Sequence, residues 1–109
     1  MSDGRIEGAA GELRMLGVLD YRSAPALRRT GQALIREDQG AGLRIDCGGV
    51  EKSSSVGLSL LLCFVRDAKK LGRDVSIANL PQDMQQIARV SGLLDVLPLV
   101  NDTPGVDRV

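Results

Sequence analysis

The chain has 109 residues, balances 14 Lys and Arg against 14 Asp and Glu, and has a pI near 6.2. That length supports one domain with one modest core, and the charge balance lacks the basic footprint selected by nucleic acids or anionic membranes. Histidine is absent, which removes the usual general base near neutral pH and the commonest metal ligand, so no enzyme, cofactor or metal centre is expected.

The polar opening from Met1 to Glu7 is no signal peptide, and no apolar run reaches the length of a membrane span, which predicts a cytoplasmic chain without direct membrane insertion. Residues 5–9 and 12–19, broken by Gly8 and Gly11, place Leu13, Met15 and Leu16 or Val18 at near-alternate spacing and predict a hairpin. Asp20-Tyr21-Arg22-Ser23 then offers capping oxygens. Pro25 suits a first helical turn, and Leu27, Gly31, Leu34 and Ile35 carry a helical stripe to about Asp38, closed by Gln39-Gly40-Ala41-Gly42. Leu43 to Cys47 is a compact strand centred on Ile45.

The strongest helix spans roughly Val56 to Leu71. Leu58, Leu61, Leu62, Val65 and Ala68 share one face, Lys69 and Lys70 suit the negative end of the helix dipole, and Gly72 stops it. Val75 and Ile77 mark a strand over 74–78. Pro81 opens a third helix to about Val90, with Met84, Ile87, Ala88 and Ser91 inward, stopped by Gly92. Leu93 to Leu99 forms a last packed segment, and 101–109, with Pro104 and Gly105, reads as a flexible C-terminal tail. Alternating strands and helices predict an α/β domain over 1–100, with a sheet of four or five strands covered by helices. Cys47 and Cys63 lack CxxC or Cys/His spacing and read as buried free thiols.

The run Ile45 to Leu62 is the most informative stretch. It joins a strand to the apolar helix through small and hydroxylated residues, gathering backbone N–H groups and serine oxygens at one helix start. Ser53, Ser54 and Ser55 read in two ways: one caps the helix, and the two left over reach a partner. As nucleophiles they lack a base, since Lys52 has no third orienting group. Gly48-Gly49 and Gly57 match neither Gly-x-Gly-x-x-Gly nor Gly-x-x-x-x-Gly-Lys-Ser/Thr and read as turn glycines, with no small-molecule substrate expected.

Asp46, Val50, Ser55, Gly57, Leu58, Leu60, Leu61 and Leu62, with Gly11-Glu12-Leu13 through Gly17-Val18-Leu19-Asp20 before them, resemble the STAS family, whose fold is that of the bacterial anti-sigma factor antagonists. The resemblance covers residues 5 to 98. Ala68-Lys69-Lys70-Leu71-Gly72 after the Leu-rich helix is most similar to the MlaB-like branch, the cytoplasmic STAS subunits of ABC transporters that move phospholipid between the membranes of Gram-negative bacteria. What this implies is a non-catalytic subunit, peripheral to the inner membrane, that binds and stabilises or regulates the transporter's ATPase subunit through the helix start. The alternative it implies is an anti-sigma factor antagonist that binds a kinase-like anti-sigma factor with the same edge. Phosphorylatable antagonists carry a hydroxyl residue immediately before the glycine and an acid two positions earlier; here Val56 and Ser54 stand there. The departure counts against a phosphoswitch and favours constitutive docking. The expected partner surface has Ser53, Ser54, Ser55, Val56 and Gly57 at its centre and Asp20, Tyr21 and Lys52 at its rim.

Leu60, Phe64 and Leu71 form a second stripe beside the core stripe of the central helix, widening its apolar arc beyond what one packed face needs. Either a neighbouring helix or a partner covers it. Ser59, Arg66, Asp67 and Lys70 are expected on the wet side.

Overall fold

The computed structural model describes residues 3–100. The tail expected over 101–109 lies outside the described residues. The elements run β1 (Arg5–Ala9), β2 (Glu12–Leu19), α1 (Ala24–Glu37), β3 (Gly42–Ser53), α2 (Ser55–Lys70), β4 (Asp74–Ala78) and α3 (Gln82–Val90), followed by a 3-10 turn at Leu94–Val96. The sheet has the order β1-β2-β3-β4, with β1 antiparallel to β2 and the other neighbours parallel. A bridge between Ile77 and Leu99 adds the rudiment of a fifth strand beside β4.

Both parallel crossovers step the same way across the sheet, so the common handedness of such connections puts α1 and α2 on one face. The burial pattern agrees. Leu13, Met15 and Leu19 of β2 and Leu43, Ile45 and Cys47 of β3 are buried under the helices, whereas Glu12, Arg14, Arg44 and Asp46 alternate outward. The outward face is a charge ladder, with Arg14 and Arg44 both on Glu12, at 3.0 and 3.3 Å, and Arg5 on Glu7 at 3.0 Å.

The wide apolar arc of α2 is absorbed inside the domain. Leu60 and Phe64 are buried, and Phe64 lies over Gly31 of α1, where an added Cβ would come within 2.4 Å of the ring. The glycine is what lets the two helices approach that closely. Leu71 lies outside this arc and is 52% exposed. Asp67 does not sit free on the wet side either: it is half-buried and accepts a 2.8 Å ion pair from Arg28 of α1. Ser91, expected inward, is exposed, because α3 ends one residue earlier. Cys47 is buried and Cys63 only partly so, and both are free.

The end of α2 closes on a Schellman turn, with Gly72 N–H donating to Lys69 O and Arg73 N–H to Ala68 O. Arg73 then turns inward. Its guanidinium donates to Gly40 O at 2.8 Å, Gly42 O at 2.9 Å and Ile35 O at 3.2 Å, and pairs with Asp38. The end of α1, the connection after it and the start of β3 are thereby tied to the turn that leads into β4.

β3 is longer than its sequence suggests. It was expected to stop at Cys47, but it runs on to Ser53, pairing with β2 alone beyond Asp46. Two register shifts against β2, between Arg14 and Leu16 and between Gly17 and Val18, absorb the extra residues as bulges. The strand therefore delivers its last serine beside the end of β2.

Candidate partner-docking edge

Leu19 pairs with Ser53, so the loop after β2 and the junction into α2 leave the sheet side by side. This brings Asp20 and Tyr21 to the same edge as Lys52 through Gly57, all of the residues singled out in the sequence. Asp20 organises its loop: its Oδ1 accepts from the N–H groups of Arg22 and Ser23, both at 3.1 Å, and its carbonyl accepts from Ala24 N–H. The Ser23 N–H, with the Ser23 hydroxyl and Arg22 in support, holds the Asp20 carboxyl below the usual carboxylate range despite some opposing burial. The acid, not Ser23, supplies the oxygen that closes the turn before α1. Tyr21 is left projecting, 72% exposed.

At the helix start the three serines have separate roles. Ser54 is the N-cap, its Oγ accepting from Val56 N–H at 3.2 Å. Ser53 Oγ donates to Ser54 O at 2.7 Å. Only Ser55 keeps an exposed hydroxyl with no hydrogen bond among the described residues. The expectation of two spare serines is therefore corrected to one, because the extended strand turns Ser53 back onto the junction's own backbone.

Gly57 explains why the junction is tight. A Cβ there would sit 1.9 Å from Ser53 Oγ and 3.1 Å from Leu19 Cδ1, so the first turn of α2 packs directly on the paired ends of β2 and β3. Val56 is half-buried against the core. Lys52 is exposed at the rim, with no ion pair among the described residues. The edge thus presents a phenol, a hydroxyl, a cation and an organised carboxylate on a rigid base, which suits recognition of a protein surface.

Asp46, named in the sequence only as part of the family pattern, has a structural role that spacing did not show. Where β3 parts from β4, Asp46 Oδ1 accepts from Gly48 N–H at 2.8 Å and from Asn79 Nδ2 at 3.1 Å. Burial opposes ionisation of Asp46, but these two donors together with the Arg44 and Arg14 charges hold the carboxyl below its ordinary range. Asn79 has a φ of 57°, which turns the chain out of the sheet. An Asx-type donor two residues beyond Asp46 was the available signal, hidden by the reading of Gly48-Gly49 as a loop.

No group of three His, Cys, Asp or Glu placed to hold a metal occurs among the described residues, and no described helix is long and apolar enough to cross a membrane. A mixed four-stranded sheet backed by helices, with two connecting loops gathered at one helix start, defines a small α/β domain. The chain belongs to the STAS domain family in its MlaB form: the family described as "Mlab, STAS domain" matches residues 3–100. It is 29% identical over 94 residues to the anti-sigma-B factor antagonist of Bacillus subtilis, covering 86% of this chain and 84% of that protein. Among solved structures it is similar to a chain of the Acinetobacter MlaFEDB complex in an ATP-bound conformation, with a TM-score of 0.72 at 25% identity over 82% of this chain and 93% of that one. An anti-sigma factor antagonist from Mycobacterium paratuberculosis superposes with the same TM-score, 0.72, at 24% identity over 94% of this chain and 86% of that one.

Proposed function

We propose that the chain is the non-catalytic STAS subunit of an MlaFEDB-type ABC complex that moves phospholipid, docked on the ATPase subunit at the cytoplasmic side of the inner membrane. The observation that carries the reading is the exposed, unpaired Ser55 at the start of α2, beside the projecting Tyr21, in a chain of the MlaB-type STAS family. The centre of the contact is Ser55 with Val56 and Gly57. Ser53 and Ser54 shape the junction, and Asp20, Tyr21 and Lys52 form the rim. Catalysis has no place in this reading, since the hydroxyl on offer has no base bonded to it and the chain contains no histidine.

The likeness to the Bacillus subtilis antagonist supports a second reading, an anti-sigma factor antagonist that binds a kinase-like anti-sigma factor with the same edge. Against it stands Val56. The position immediately before Gly57, where a switch hydroxyl belongs, holds a half-buried valine packed on the core.

Purification of the tagged chain from its native host in mild detergent, followed by mass spectrometry, separates the two. ATPase and permease subunits of one ABC transporter are expected in stoichiometric amounts; a kinase-like anti-sigma factor in their place overturns the transporter reading.

A further inference from the structure

Away from the docking edge, the second half of α2 and the turn after α3 border a shallow, open groove of about 550 Å³. Leu62, Val65 and Leu93 form its floor, and Arg66, Lys69 and Lys70 line its side. Leu62, Val65, Arg66 and Lys69 follow the i, i+3, i+4, i+7 spacing of a single helix face, so apolar floor and basic wall run in parallel. No acid lines the groove, and none of the three cations has an ion pair or side-chain hydrogen bond among the described residues. The nearest acid on the helix, Asp67, pairs with Arg28 of α1, on a face that it shares with Lys70 but not with Arg66 or Lys69.

Local physics does not account for this arrangement. Lys69 and Lys70 lie in the last turn and suit the helix dipole. Arg66 lies outside that turn and stands three and four residues before the lysines, a spacing at which like charges destabilise a helix. A cluster of three cations beside apolar side chains, in a chain with no net charge, is relieved by an anionic occupant.

We propose that this groove docks an acidic amphipathic segment of a protein partner, with apolar side chains on the half-buried Leu62 and Leu93 and carboxylates facing Arg66, Lys69 and Lys70. An anionic bilayer is the poorer fit, because membrane binding needs apolar side chains that protrude, and Leu62 and Leu93 are both half-buried against the core. The surface is separate from the helix start: Val65 and Lys69 follow Ser55 by about three and four turns of α2.

The test places a photoreactive phenylalanine at Lys69 in the full chain, expressed in its native host, with a second chain carrying it at Ser55. Irradiation and sequencing of the Lys69 adduct are expected to give a protein segment in which Asp and Glu outnumber Lys and Arg between apolar residues. The yield should fall at least fivefold with Arg66→Glu and Lys70→Glu together, and also with the milder Arg66→Gln, while circular dichroism stays unchanged. A lipid adduct, a protein segment without excess acid, no adduct, or a yield indifferent to these charge changes would overturn the proposal. The Ser55 adduct reports on the docking edge by itself, so the failure of one surface is distinguishable from the failure of the other.

Discussion

The two ends of α2 are built from similar materials and use them in opposite ways. At the C-terminal end, Arg73 is 7% exposed and its guanidinium serves Ile35, Gly40 and Gly42 carbonyls and the Asp38 carboxylate. Arg73 is thereby directed wholly inward. At the N-terminal end, Ser54 and Ser53 satisfy the junction, and Ser55 and Tyr21 are left facing water. A polar group fully engaged by its own chain contributes to the fold; one held on a rigid base without a partner is available for recognition. The difference predicts that mutation of Arg73 changes stability and that mutation of Ser55 or Tyr21 changes binding.

The largest effects belong to the closed end and the core beneath it. Arg73→Ala takes the guanidinium away from three carbonyls and from the Asp38 carboxylate, which keeps only backbone donors, and should destabilise the domain by about 3–5 kcal/mol. Phe64→Ala opens a cavity between α1 and α2 and should cost a similar ~3–5 kcal/mol, with loss of binding only where the domain unfolds. Urea denaturation measures both. A midpoint close to wild type for Phe64→Ala would return that ring to the partner surface.

Gly57→Ala lies at the boundary between the two regimes. Its methyl would displace the Ser53 hydroxyl and crowd Leu19, so a loss of roughly 1–3 kcal/mol is expected together with weakened docking. Stability and affinity falling together would show that the recognition edge depends on this close approach; unchanged values of both would remove the glycine from the account.

Tyr21→Ala should leave the midpoint unmoved and weaken the complex by tenfold or more, about 1.4 kcal/mol, as expected for an exposed aromatic anchor. Isothermal titration against the partner reads this directly. An unchanged affinity would make Tyr21 an ordinary loop residue.

Acid sensitivity offers a subtler comparison. Asp38 is held below its ordinary range first by Gly11 N–H and then by Arg73, against the opposing effect of burial. A carboxyl with a lowered folded value contributes stability that is present above its unfolded value, about pH 4, and lost as the pH falls through the lowered one. Stability should therefore drop below about pH 4, and Asp38→Asn should flatten that limb of the curve. Equal slopes for the two proteins would contradict the linkage.

Much of this was legible in the sequence because it follows short-range rules. Leu58, Leu61, Val65 and Ala68 announce the buried face of α2 by period alone, and Gly72 with the two lysines marks its end. The shared edge of Ser53 to Gly57 with Asp20-Tyr21 was legible too, since loops after parallel strands gather at one end of a sheet. What remained hidden depends on pairing between distant residues. Gly48-Gly49 reads as a loop until the bulges against β2 carry the strand past it, and that extension decides which serine is free. Arg73 gives no local sign of its role, because its acceptors lie about thirty to forty residues earlier, at Ile35, Asp38, Gly40 and Gly42. Phe64 was ambiguous on its own helix; the clue was Gly31, a glycine in the middle of the opposing helical stripe.

The central claim, that the start of α2 is a recognition edge and not part of the fold's own support, is tested most directly by Ser55→Arg. The side chain is exposed at the first turn, so the substitution should move stability by less than about 0.5 kcal/mol through the helix dipole alone. Measured on one preparation, the urea midpoint should stay at the wild-type value while co-purification with the ATPase subunit is abolished. Retained co-purification at an unchanged midpoint would contradict the claim.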